Sequence, residues 1–164
     1  MTPAGSSRSI GGMEYTLHAT TVVEAPPALV FERITDIDRL PDWNAEVHDV
    51  IERPATLHPG AEWVVEIRAM KKHWNSRSRL AELDADGGRF AYRSQTDDGN
   101  PSYADWRWQL APVPGGTRVD VEVDIRPRTF WRKHLFSKIR RPSLAKAMQH
   151  SLRNLQDVTQ REEA

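Results

Sequence analysis

The chain has no cysteine. It can form no disulfide, bind no metal through thiolates and use no cysteine nucleophile; this suits a reducing compartment, and a cytoplasmic location is expected. No apolar run approaches the roughly 20 residues that a helix needs to cross a bilayer. The first residues, Met1 to Gly12, are rich in Gly, Ser, Thr and Pro and lack the continuous apolar centre of a secretion signal, so residues 1–13 read as a flexible tail. Net charge is lacking too: 23 Lys and Arg balance 23 Asp and Glu, which leaves no general electrostatic reason to expect a nucleic-acid partner. There is no glycine-rich phosphate loop and no nucleophile elbow. The histidines, at positions 18, 48, 58, 73, 134 and 150, have no metal-ligand spacing, so neither a metal nor a cofactor is expected.

What is present is a chain of 164 residues, 38% apolar and 28% charged, enough for one buried core but thin for two. A single domain over residues 14–158 is expected, followed by a C-terminal tail at 159–164. From Tyr15 to Glu24 the run is β-branched and aromatic and reads as a strand, stopped by Ala25-Pro26-Pro27. Pro27 suits a first helical position, and Val30, Phe31 and Ile34 share a helical face; two short helices are predicted, ending near Pro41-Asp42-Trp43.

Turn signals at His58-Pro59-Gly60, Lys71-Lys72, Asp86-Gly87-Gly88, Asp98-Gly99-Asn100-Pro101 and Pro114-Gly115-Gly116 then delimit six strands. The clearest runs from Thr117 to Ile125, where Val119, Val121, Val123 and Ile125 alternate with charged residues, the pattern of a sheet wet on one face. Trp63, Val65 and Ile67 alternate with Glu62, Glu66 and Arg68 in the same way, and Trp106, Trp108 and Leu110 with Asp105, Arg107 and Gln109. Between His73 and Leu83 the parity breaks: Trp74, Ser76, Ser78 and Leu80 fall on one side while Ala81 and Leu83 fall on the other. That break predicts a bulge, or a register the pattern alone does not fix. After Pro127 the period becomes helical, with Leu144, Met148, Leu152, Leu155 and Val158 or Thr159 on one stripe and Pro142 expected to start or kink the helix. One strand, two short helices, six strands and a long helix, without α/β alternation, give an α+β fold.

Several blocks resemble one superfamily in the right order: Thr21-Val22-Val23-Glu24-Ala25-Pro26 with Val30-Phe31, Thr35-Asp36-Ile37-Asp38 with Pro41-Asp42-Trp43-Asn44, Gly88 to Ser94, Trp106-Arg107-Trp108, Gly115 to Val119, and Ser151 to Leu155. The chain resembles the SRPBCC, or START-like, superfamily over roughly residues 14–158, in its polyketide cyclase/dehydrase-like branch. The resemblance implies a helix-grip fold: a seven-stranded curved antiparallel sheet wrapped around the long C-terminal helix. It also implies a cavity between the two that binds a hydrophobic small molecule such as a lipid or polyketide. The residues expected to line it are Trp63, Trp74, Phe90, Tyr92, Trp106 and Trp108 from the sheet, with Met148 and Leu152 from the helix; any one of these taken singly reads first as ordinary core.

Three functions fit such a fold: a carrier or sensor without catalysis, a polyketide aromatase/cyclase, and a helper that docks on another protein. For catalysis, the resemblance implies an inward arginine with hydroxyl and aromatic partners, which makes Arg77, Arg79 and Tyr92 the candidates. An arginine stays protonated, so it would polarise a carbonyl and could not be the base. Between residues 126 and 146 there are eight Lys or Arg and no acid, with Trp131, Leu135 and Ile139 spaced four apart and Phe136 nearby. This stretch reads either as the solvated face of the incoming helix or as a cationic flap making peripheral contact with an anionic membrane. The sequence leaves the ligand and the oligomeric state open.

Overall fold

A computed structural model describes residues 14–129 and 137–163. The expected N-terminal tail lies outside these residues, as do Trp131, Leu135 and Phe136 of the basic segment. In chain order the elements are β1 (Tyr15–Val23), α1 (Pro27–Thr35), a 3-10 turn (Ile37–Arg39), α2 (Leu40–Trp43), β2 (Val47–Glu52), β3 (Glu62–Ala69), β4 (Lys72–Asp84), β5 (Arg89–Thr96), β6 (Tyr103–Val113), β7 (Gly116–Arg126) and α3 (Ser137–Glu163). All seven strands form one antiparallel sheet in the order β1-β7-β6-β5-β4-β3-β2. The only non-sequential neighbours are β1 and β7, so the two short helices carry the chain from one edge of the curved sheet to the other.

The side-chain period of two decides which face is buried. Val119, Val121 and Val123 of β7 are at most 1% exposed, while Arg118 between its neighbours faces water. The outer face is held by cross-strand ion pairs, among them Arg93 with Asp105 at 2.7 Å and Arg107 with Asp124 at 2.9 Å. Exposed pairs of this kind contribute roughly 0.2–1 kcal/mol each. His18 belongs to this outer face, 3.4 Å from Asp120.

The parity break in β4 is a bulge. Pairing with β5 shifts register between Leu80 and Glu82, so Ser76, Ser78 and Leu80 are buried while Leu83 pairs with Phe90 in the new register. At the β5 turn, Gly88 has φ +68°, and a β-carbon there would lie 2.5 Å from the Leu110 carbonyl oxygen, so only glycine fits without a shift.

The long helix buries Leu144, Met148, Leu152 and Leu155 at three- and four-residue spacing. It begins at Ser137, so Pro142 does not start it but lies within its second turn, where the ring removes one backbone donor. It also runs past the expected end at 158. Thr159 is fully buried, and Glu162 pairs with buried Arg33 of α1 and, at 2.5 Å, with Arg39, which draws the residues expected to be a tail into the fold. Midway, Ser151 Oγ accepts the Ala45 N–H at 2.9 Å, and Asn154 Nδ2 donates to the Trp43 carbonyl at 3.1 Å. The helix is thus tied to both α1 and the α2–β2 junction.

The β3–β4 turn has two central residues, since Ala69 pairs with Lys72, and its φ values are +53° at Met70 and +61° at Lys71. Such a turn favours Asn-Gly, and a non-glycine residue in the left-handed region costs about 1–2 kcal/mol. The double substitution Met70→Asn, Lys71→Gly is expected to raise the melting temperature by about 3–6 °C in scanning calorimetry, given about 2–4 °C per kcal/mol for a chain of this size. An unchanged or lower melting temperature would show that the turn is not strained.

Candidate functional site

The inner face of the sheet carries a run of aromatic residues on adjacent strands. Phe90 and Tyr92 are two apart on β5 and so share a face; Trp106 and Trp108 of β6 stand directly opposite them, and Trp63 of β3 completes the group. Ring centroids lie 5.2 Å apart for Trp63 and Tyr92, 5.1 Å for Phe90 and Tyr92, and 6.1 Å for Tyr92 and Trp106, the last pair nearly parallel at 15°. Trp43 of α2 meets Trp108 edge-on at 5.6 Å. These separations are in the range of favourable aromatic contacts.

The rings do not fill the space under the helix. Between sheet, short helices and α3 lies a cavity of about 180 Å³, open on one side. Trp63, Trp74, Phe90, Tyr92, Trp106 and Trp108 all line it. Ser76, Ser78 and Ser94 supply hydroxyls, and Ser94 Oγ is occupied by the Trp106 indole N–H at 3.1 Å.

Four expected residues fall elsewhere. Leu152 is core, 1% exposed and away from the cavity. Met148 lines a separate void of about 20 Å³, room for a water and no more. Arg77 and Arg79 point out of the sheet, because Ser76 and Ser78 take the inward positions on either side of them. Arg77 is paired on the outer face with Asp97 at 2.9 Å and Glu52 at 3.2 Å. Neither arginine reaches the cavity, so of the candidates for catalysis only Tyr92 does. Burial pushes the Tyr92 phenol up to about 12, partly offset by the approach of Trp108. At neutral pH it is a hydroxyl and no base.

The arginine that does line the cavity is Arg140, from the first turn of α3. Both arms of its guanidinium donate to Glu46 at 2.5 Å, in a pair whose side chains are only 13% and 11% exposed. The Asn44 side chain accepts the backbone N–H groups of Glu46 and Val47, and the Arg68 N–H donates to the Glu46 carbonyl, so the carboxylate is held in place. Trp74 lies 5.5 Å from the Arg140 guanidinium. Tyr15 lines the same corner, and its buried hydroxyl has no hydrogen-bond partner. Burial raises the Tyr15 pKa; Arg140 and Arg141 oppose the rise and Glu46 adds to it. Tyr15, Glu46 and Arg140 were not legible as site residues. The nearest signal was parity: Tyr15 shares a strand face with Leu17 and buried Ala19.

Among the described residues no group of three or more His, Asp or Glu is arranged to hold a metal, and no helix is long and apolar enough to cross a membrane.

The sequence matches the family described as Polyketide cyclase / dehydrase and lipid transport over residues 15–160, and the chain belongs to that family. No curated protein matches it. Among solved structures it is similar to the Zhui aromatase/cyclase of a Streptomyces species, with TM-score 0.78 and 16% identity over 92% of this chain and 96% of that one. A protein from Thermus thermophilus gives TM-score 0.73 at 19% identity, over 92% of this chain and 100% of that one. A START superfamily protein from Mycobacterium smegmatis gives 0.70 at 13%, over 89% and 97%. At these identities the likeness defines the helix-grip fold.

An unfolded tyrosine ionises near pH 10, and folded Tyr92 near 12. The folded state therefore keeps a proton that the unfolded chain has lost, so stability is intact below about pH 10 and falls between about pH 10 and 12, by at most about 1.4 kcal/mol per pH unit for this group. Urea unfolding across this window is expected to show a shallower decline for Tyr92→Phe than for the unsubstituted chain. Equal slopes would mean that Tyr92 is not shielded from water.

Proposed function

We propose that this chain binds a small hydrophobic molecule of the lipid or polyketide class and acts as a carrier or sensor, without transforming it. The observation that carries this reading is the half-open cavity of about 180 Å³ whose lining includes Trp63, Trp74, Phe90, Tyr92, Trp106 and Trp108 of the sheet. An apolar cavity of about 150 Å³ holds benzene, whereas drug-sized ligands occupy roughly 300–1,000 Å³. A one- or two-ring compound, or a short acyl chain, fits without rearrangement. Family membership supports hydrophobic binding in general, since its description spans both lipid transport and cyclisation.

The second reading, a polyketide aromatase/cyclase, draws on the fold shared with the Zhui aromatase/cyclase and on the presence of Tyr92 in the lining. Against it, neither sheet arginine enters the cavity, and the arginine that does is engaged by Glu46. Peripheral contact with an anionic membrane through residues 126–146 belongs to the same proposal: Ile139 is 60% exposed, and Lys138 and Arg141 beside it face water. So does a cytoplasmic location, which fits the cysteine-free composition.

Native mass spectrometry of freshly purified protein, then titration with fatty acids, sterols and aromatic polyketides followed by tryptophan fluorescence and melting temperature, tests the reading. A ligand that binds only the folded state stabilises it by about 2.7 kcal/mol at a hundredfold excess over Kd. Ser78→Phe, which fills the cavity, is expected to weaken binding by about tenfold or more, while Arg77→Gln and Arg79→Gln leave it within about twofold, being on the far face. If no class of compound alters fluorescence or stability, the binding reading fails. If the protein turns over a polyketide and Tyr92→Phe abolishes that turnover, the enzyme reading replaces it.

A further inference from the structure

The cavity has one corner unlike the rest. Most of its wall is apolar, but at the meeting of β1, the α2–β2 junction and α3 it is built from Tyr15, Glu46 and Arg140. Three features of that corner bear on what enters it.

First, the charges there do not cancel. Glu46 is the one acid that lines the cavity, and both oxygens of its carboxylate are taken by Arg140. Arg141, the next residue of the helix, stands 5.3 Å from the Tyr15 ring centroid and adds a second positive charge from the exposed side. Arg140 lines the cavity and Arg141 stands outside it behind the Tyr15 ring, so the neighbourhood holds two guanidinium groups and one carboxylate. Second, the corner contains a donor without an acceptor. The Tyr15 hydroxyl is buried and makes no hydrogen bond, and Trp43 Nε1, on a lining residue 2% exposed, is likewise unpaired. A buried polar group left unpaired loses about 1–3 kcal/mol relative to one that is satisfied, so an incoming acceptor recovers stabilisation the protein alone lacks. Third, Arg140 is held rather than floppy: it is fixed bidentately by Glu46, and Trp74 lies 5.5 Å from its guanidinium. Its position is set before any ligand arrives.

Resting on the reading that the cavity is a ligand site, we infer that its ligand is an amphipathic monocarboxylate. The apolar body lies among Trp63, Phe90, Tyr92 and Trp106, and the carboxylate lies in the corner, accepting from the Tyr15 hydroxyl in the field of Arg140 and Arg141. Glu46 does not bar the anion, because its charge is already matched by Arg140, and Arg141 leaves the corner with a surplus of one positive charge. An uncharged ligand of the same shape would leave that surplus unanswered. Charge-assisted hydrogen bonds are about twice as strong as neutral ones, so the preference for the acid is large enough to measure.

The test uses two matched pairs, 2-naphthoate with methyl 2-naphthoate and octanoate with methyl octanoate, titrated calorimetrically into the full chain near neutral pH. At least one acid is expected to bind about tenfold or more tightly than its ester, a difference of about 1.4 kcal/mol. Tyr15→Phe is expected to weaken that acid about tenfold and leave the ester unchanged, while melting no lower than the parent, because it removes an unpaired buried hydroxyl. Arg141→Gln, at an exposed position, is expected to weaken the acid severalfold and to reduce its salt dependence. If esters bind as tightly as acids, or if the acid preference survives both substitutions, the anionic corner is wrong while the hydrophobic cavity stands. If none of the four binds but a sterol or polyketide of the wider panel does, the anionic corner is wrong while the cavity stands; if nothing in that panel binds either, the cavity reading itself is lost.

Discussion

One helix has to cover the inner face of a seven-stranded curved sheet. The sheet presents large rings along that face, from Trp63 on β3 through Phe90 and Tyr92 on β5 to Trp106 and Trp108 on β6, and all must be removed from water. Interiors normally pack to the density of organic crystals, and a helix free to settle would close on these rings. Here the helix is not free. Its C-terminal turn is fixed through Glu162 to Arg33 of α1 and to Arg39 of the 3-10 turn, its middle to the α2–β2 junction through Ser151 and Asn154, and its first turn to the same junction through Arg140 and Glu46. The ties hold it over the aromatic face at a distance the side chains do not span. The cavity follows from where the helix is anchored.

The Arg140–Glu46 pair shows how this geometry becomes chemistry. Burying two charges is expensive, and such a pair is seldom the most stable filling for its space, although removing one partner alone costs roughly 3–5 kcal/mol. Its value in this fold is positional: it seals the end of the helix against the junction and places a guanidinium in a largely apolar wall. The result is a pocket with an oily body and one charged corner. A plain greasy core would bind any hydrophobe of suitable size; polar groups at one end give orientation and selectivity.

The sequence made the sheet legible because strand periodicity is local. The alternation from Thr117 to Ile125 reports which side of β7 is wet, and the parity change at Ala81 reports the bulge where β4 and β5 slip register. Of the rings in the lining, Trp63, Trp106 and Trp108 followed from the same alternation, while Trp74, Phe90 and Tyr92 were expected there only once the resemblance supplied the fold. The polar part of the site was less visible, because it depends on residues far apart in the chain whose facing is set by packing. Arg140 sits in a run of basic residues that reads as a solvated face, and only the angle at which α3 meets Glu46, 94 residues away, turns it inward. Arg77 and Arg79 went the other way: their strand carries two parities, and the side facing the cavity belonged to the serines. At the C-terminus, polar residues past Val158 looked dispensable until Arg33 supplied a buried partner for Glu162.

The account depends on hollow space beneath the helix. Crystals of the protein placed under xenon pressure test this directly, since xenon enters dry apolar cavities and is seen at low occupancy. Xenon bound among Trp63, Tyr92, Trp106 and Leu144 is the predicted result. Clear density with no xenon there, and with the indole rings and α3 drawn together into continuous van der Waals contact, would contradict it.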